Sequence, residues 1–184
     1  LGATSDGGVY ISWITDVKRF GIPKLSDDML SLMIRRIYDI AGITDKKVNV
    51  YYNDQKIKVK SFQDYLKLYP TVSDKVYEYI SDRWEIAACS SSSDKFEQVS
   101  FVNGISTPKG GIHVDMIVKQ ITSGVAKYMK KKHKKDIPDR YVKNYLSIYL
   151  NSVIENPSFD SQTKERLITP KSKFGSKPVI SDKF

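Results

Sequence analysis

One cysteine, Cys89, stands among 184 residues, so the chain can form no internal disulfide and no cysteine cluster for zinc. Histidine is nearly as scarce. His113 and His133 lie far apart with no carboxylate or cysteine at ligand spacing, and no metal site is expected. No apolar run approaches the roughly 18 residues a membrane-crossing helix needs, so no membrane partner is expected either. Residues 1–8 carry neither the basic segment nor the apolar run of a signal peptide. The phosphate loop G-x-x-x-x-G-K-[ST] is missing, and no segment repeats. Together these exclude a disulfide-stapled secreted domain, a zinc module, a helical membrane protein and a P-loop nucleotidase. The single cysteine points to an intracellular protein.

What the chain does have is positive charge. Lys and Arg number 30 against 21 Asp and Glu, a net charge of +9 that favours polyanionic partners such as nucleic acid. A hydrophobic share of 40% with 28% charged residues is that of a globular protein. The length allows one large domain, or one domain with part of another. Beginning at Leu1 and ending at Phe184, the sequence is expected to be a piece of a longer protein.

Along the chain, Val9 to Thr15 is β-branched and aromatic and predicts a strand after a Ser-Asp-Gly-Gly turn at 5–8. Ser26 is an N-cap with Asp27 and Asp28 in the first turn, and Leu30, Met33, Ile34, Ile37 and Ala41 share one helical face that Gly42 should end. Val48–Tyr52 and Lys56–Lys60 flank Asn53-Asp54-Gln55 as a hairpin, and Ser61 caps a short helix reaching about Tyr69 before Pro70. Trp84–Ala88 and Phe96–Asn103 read as two strands joined by a serine-rich hairpin tip at 90–94. After Gly110-Gly111 a long helix carries Val114, Ile117, Val118, Ile121, Val125, Tyr128 and Met129 on one stripe. His113, at its start, should make a local hydrogen bond. Pro138 opens a further helical turn.

Two polar stretches are candidates for chemistry. The long helix runs into Lys130-Lys131-Lys132-His133-Lys134-Lys135, five lysines that repel one another and are only partly offset by the helix C-terminus. That run is either a solvated helix end or a contact to nucleic-acid phosphates. The second stretch follows a strand in which Leu146, Ile148 and Leu150 alternate with Ser147, Tyr149 and Asn151, the pattern of a half-buried strand that Pro157 terminates. Its polar loop, Ser158 to Lys164, ends in Gln162-Thr163-Lys164, where a neutral donor and a point charge could meet a phosphate. On residue chemistry alone it reads as a surface loop rather than a phosphate contact, and the alternative for the chain is a stand-alone α/β nucleic-acid-binding module using the lysine run.

The eleven residues Ile154 to Lys164, IENPSFDSQTK, strongly resemble the QTK loop of eukaryotic type II DNA topoisomerases. RIYDIAG at 36–42, VSFVN at 99–103, GGIHVD at 110–115 and Phe174-Gly175-Ser176 resemble further stretches of that family, in its order. Residues 1–8 do not fit, and the family's Ser-Lys-Gly-Gly is here Thr107-Pro108-Lys109-Gly110-Gly111. The resemblance implies an α/β (α+β) transducer domain like the ribosomal protein S5 domain 2-like fold, with a mixed sheet and helices on one face. It would be preceded by the last strand and helix of a GHKL-type ATPase domain. Residues 1–43 would be the end of that ATPase domain, and 44–184 the transducer, cut before its long exit helix.

The resemblance also implies site residues and partners. Gln162, Thr163 and Lys164 would contact ATP bound in the preceding domain, with Lys164 as the catalytic cation at the γ-phosphate. Lys130, Lys131, Lys132, Lys134 and Lys135 would form the DNA-contacting K-loop. Mg²⁺ would accompany the nucleotide, with its ligands outside this chain. Double-stranded DNA, a second copy of the full-length enzyme as homodimer, and a nuclear location complete the expectation. The family's Gly-rich lid and metal-binding Asn helix are missing from this stretch, and its DNA-cleaving tyrosine belongs to another region. Alone, this chain should therefore be inactive, and Arg140-Tyr141 should be structural.

Overall fold

A computed structural model describes residues 2–3, 7–70 and 74–184, which form two compact units, residues 1–36 and 37–184. In the smaller unit β1 (Gly2–Ala3) pairs antiparallel with β2 (Val9–Tyr10), and α1 (Asp27–Ile43) begins. The strand expected over Val9–Thr15 is two residues long, because a strand exists only where a neighbour completes its hydrogen bonds. Among the described residues none pairs with 11–15, and Ile14 is 96% exposed. Ser5 and Asp6 of the expected turn lie outside the described residues. Ser26 caps α1 as its chemistry suggests, its Oγ accepting from the Met29 amide at 3.2 Å.

Gly42 does not end α1; it lies inside the helix. A β-carbon there would come within 2.5 Å of the Tyr65 side chain, so glycine permits the helix to sit directly on that ring. Tyr65 belongs to α2 (Phe62–Leu66), whose cap Ser61 accepts from the Asp64 amide at 3.1 Å. The Tyr65 hydroxyl donates to buried Asp39 of α1 at 2.6 Å. Burial first, and that hydrogen bond second, push the phenol far above its ordinary pKa. Between the two helices a small hairpin, β3 (Tyr51–Tyr52) and β4 (Gln55–Lys56), turns at Asn53 and Asp54, both with positive φ.

The main sheet has five strands: β5 (Val76–Ser81), β6 (Trp84–Ser90), β7 (Glu97–Val102), β8 (Ile105–Ser106) and β9 (Leu146–Ser152), in the order β5-β6-β9-β7-β8. Only β7 and β9 run parallel. They are linked by α3 (Ile112–His133) and α4 (Asp139–Asn144), so the sheet is mixed. The serine loop does not close a hairpin between β6 and β7. β9 lies between them, and the loop crosses its end, with the Ser91 amide on the Tyr145 carbonyl at 2.9 Å and Ser91 itself buried.

Both faces of β9 are covered, so the half-buried reading gives way to that of a central strand. Ile148 and Leu150 join Trp84, Ile86 and the α3 residues Val114, Ile117, Val118 and Ile121 on one side. Tyr149 joins Ala87, Cys89, Phe101 and the α2 residues Phe62, Tyr65 and Leu66 on the other. Each large side chain so buried is worth about 2 kcal/mol of transfer free energy. The mixed α/β sheet is the one expected. The placing of helices needs one amendment, since short α2 covers the face opposite long α3.

Candidate functional site

After β9 the chain turns into a loop at 158–169 whose two limbs are held together. The Ile168 amide donates to the Ser158 carbonyl at 2.9 Å and the Asp160 amide to the Arg166 carbonyl at 3.2 Å. Thr169 Oγ1 accepts from the Ser158 amide at 2.7 Å. At the tip, the Lys164 amide donates to the Ser161 carbonyl at 3.1 Å, closing a turn over Gln162 and Thr163. The Ser161 and Thr163 hydroxyls lie 2.8 Å apart across it. Gln162 and Thr163 are exposed; Lys164 is half-buried and left-handed, φ 58°. Among the described residues Lys164 is in no ion pair. The three residues singled out in the sequence thus share one turn, which offers an amide, a hydroxyl and an ammonium.

The return limb is bound to the start of α3 by a short parallel ladder. The Leu167 amide donates to the Gly110 carbonyl at 3.0 Å, the Ile112 amide to the Leu167 carbonyl at 3.2 Å, and the Lys109 amide to the Glu165 carbonyl at 3.0 Å. Gly111 sits at φ 137°, and a β-carbon on it would fall 2.3 Å from the Leu167 carbonyl oxygen, so only glycine allows this approach. The side chains of Lys109 and Glu165 also pair, at 2.5 Å. That hydrogen bond raises the lysine pKa above its ordinary value.

Beneath the ladder lies a buried polar cluster. Thr107 and Ser100 exchange hydrogen bonds, and His113 Nε2 is 3.2 Å from Thr107 Oγ1. His113 is fully buried, its Nδ1 has no hydrogen-bond partner among the described residues, and burial depresses its pKa to about 3. It makes the local hydrogen bond expected, inside the core. Gln98 adds two bonds, to the Thr107 and Pro108 carbonyls. Sequence reading missed Lys109, Glu165 and this cluster as parts of one site; the Gly-Gly pair was the one available signal.

The five lysines are not here. They lie at the far end of α3, a helix of 22 residues and therefore about 33 Å long. Lys134 is its left-handed C-cap, with its amide on the Met129 carbonyl. Lys130 pairs with Asp136 at 3.2 Å, and Lys132 lies over the Tyr128 ring. Lys131, Lys134 and Lys135 are exposed. Arg140 and Tyr141 sit on the surface of α4, Tyr141 against the Tyr145 ring. Among the described residues no three His, Cys, Asp or Glu gather where they could hold a metal ion.

Comparison with known proteins places this geometry. The family model described as DNA gyrase B matches residues 44–184. The chain is 42% identical over 98% of its length to DNA topoisomerase 2 of Arabidopsis thaliana, and 42% identical over 95% to DNA topoisomerase 2-alpha of Cricetulus griseus. It spans 13% and 12% of those two proteins. Among solved structures, the ATPase region of Saccharomyces cerevisiae topoisomerase II superimposes with a TM-score of 0.82 at 41% identity, covering 90% of this chain and 43% of that one. The ATPase and transducer domains of DNA topoisomerase II from Balamuthia mandrillaris give 0.81 at 41%, covering 87% and 41%. The chain therefore belongs to the DNA gyrase B family and is a segment of the ATPase and transducer region of a type II DNA topoisomerase.

Proposed function

We propose that this segment couples ATP to duplex passage in a DNA topoisomerase, with residues 1–43 as the end of the ATPase domain and 44–184 as the transducer. The observation that carries this reading is the turn at 161–164, which holds Gln162, Thr163 and Lys164 together and is laddered onto the start of α3. ATP bound in the ATPase domain meets that turn, Lys164 at the γ-phosphate and Gln162 as a neutral donor. Mg²⁺, held by ligands outside this chain, would supply charge that neutralises the phosphates. The lysines at the other end of α3 contact duplex phosphates, and gate closure brings together two copies of the full-length enzyme, in the nucleus. By itself the segment is inactive.

A cation at the γ-phosphate helps most as charge shifts during phosphoryl transfer, so its loss falls on turnover more than on nucleotide binding. In the full-length protein, Lys164→Ala should lower ATP hydrolysis by ~10²–10³-fold while nucleotide still binds and ATP-independent DNA cleavage survives. Gln162→Ala should be milder. Steady-state ATPase assays with relaxation of supercoiled DNA alongside make the test. Near-wild-type turnover for Lys164→Ala would remove the loop from the reaction.

A further inference from the structure

We propose that Lys109 is a positioning residue for Lys164, acting through its ion pair with Glu165. The inference rests on the reading of Lys164 given above. Lys109 holds Glu165 twice, by its backbone amide at 3.0 Å and by its ammonium at 2.5 Å. Glu165 is the residue next to Lys164, and Lys164 is a non-glycine residue in the left-handed region. Such a conformation persists only where its neighbours over-determine it. On one side the turn bond to Ser161 does this; on the other, the Lys109 clamp does.

The clamp has a fixed base and a free arm. Its base is the turn at 107–111, which is closed by the Gly110 amide on the Thr107 carbonyl at 2.8 Å and tied to the core by the Ser100–Thr107–His113 cluster and by Gln98. Its arm is a lysine side chain 64% exposed, reaching a glutamate side chain 36% exposed. Leu167 would keep the return limb docked without the pair, since its ladder bonds are backbone bonds. What the pair adds is the orientation of the two residues before Leu167 and of Lys164 ahead of them.

The test uses the full-length protein with ATP. Lys109→Ala and Glu165→Gln keep every backbone rung and should lower kcat by roughly two- to fivefold, the range of an exposed ion pair. KM for ATP and the melting temperature should hold. The exchange Lys109→Glu with Glu165→Lys, which restores the pair in reverse, should recover most of the loss. Wild-type kcat for Lys109→Ala, with Lys164→Ala inactive, would overturn the clamp and leave the nucleotide reading standing. A loss that the exchange does not recover would also overturn it, because Lys109 would then act on something other than Glu165. Wild-type turnover for Lys164→Ala would instead bring down the nucleotide reading, and the clamp with it.

Discussion

The two ends of α3 are built to opposite specifications. At the start, a glycine is forced against the Leu167 backbone, a histidine is buried without charge, and the stripe Val114, Ile117, Val118, Ile121 lies on the sheet. At the end, Val125 and Tyr128 continue the same stripe into solvent, and five lysines follow. One helix therefore carries a fixed end that registers a loop and a free end that displays charge. Its rigidity comes from the first half, and its surface chemistry from the second.

Replacing a glycine by alanine at each end puts that contrast to the test. Gly111→Ala places a β-carbon against backbone that cannot yield and strains φ, and should cost roughly 2–6 kcal/mol in chemical denaturation. Next in size is the pH dependence due to His113. Its folded pKa of about 3 lies below the ordinary 6.5, so the unfolded chain takes the proton first. The stability tied to neutral His113 is whole above about pH 6.5 and is lost as pH falls towards 3, with a slope approaching about 1.4 kcal/mol per pH unit. His113→Gln should remove that part of the slope; a slope unchanged by it would place the titration elsewhere.

Gly124→Ala is the counterpart of Gly111→Ala. No described residue lies within 4 Å of the new β-carbon, and the helix gains a better former, so stability should rise by about 0.5–1 kcal/mol. Destabilisation there would mean that the second half of α3 is packed after all. Smallest in stability is the replacement of Lys130, Lys131 and Lys132 together by Ala, which should shift it by under ~0.5 kcal/mol. The log–log salt dependence of duplex binding by the full-length protein should flatten by roughly 0.9 per lysine, about 2.7 in all. An unchanged slope would leave the run as a solvated helix end.

The sequence was informative where a pattern is local. Ser26 and Ser61 as caps, the turn expected at 53–55 (of which Gln55 proves to begin β4) and the α3 stripe up to Ile121 are all properties of a few neighbouring residues. The polar loop at 158–164 was legible as a loop for the same reason. It was not legible where partners come from far along the chain. Nothing within 84–103 says that a strand from residue 146 onward enters between β6 and β7. Tyr149 alternates like a surface residue and is buried because α2 covers it. β5 went unread: its Tyr77, Glu78 and Tyr79 give a polar edge strand no clear alternation. Val125 and Tyr128 misled in the other direction, since periodicity reports a face and not whether a sheet lies beneath it. The Lys109–Glu165 pair joins two loops that only the folded chain brings together.

The place of β9 also governs the order in which the domain can assemble. The hairpins β5–β6 and β7–β8 form from adjacent residues, but Trp84 must wait for Ser152 and Glu97 for Ser147. Until the chain beyond α4 arrives, the inner edges of β6 and β7 stand open with unpaired backbone groups, and both core faces lack their middle strand. Such non-local pairing slows folding towards the millisecond-to-second range. During synthesis these open edges are where a nascent chain of this family would pair wrongly or meet a chaperone.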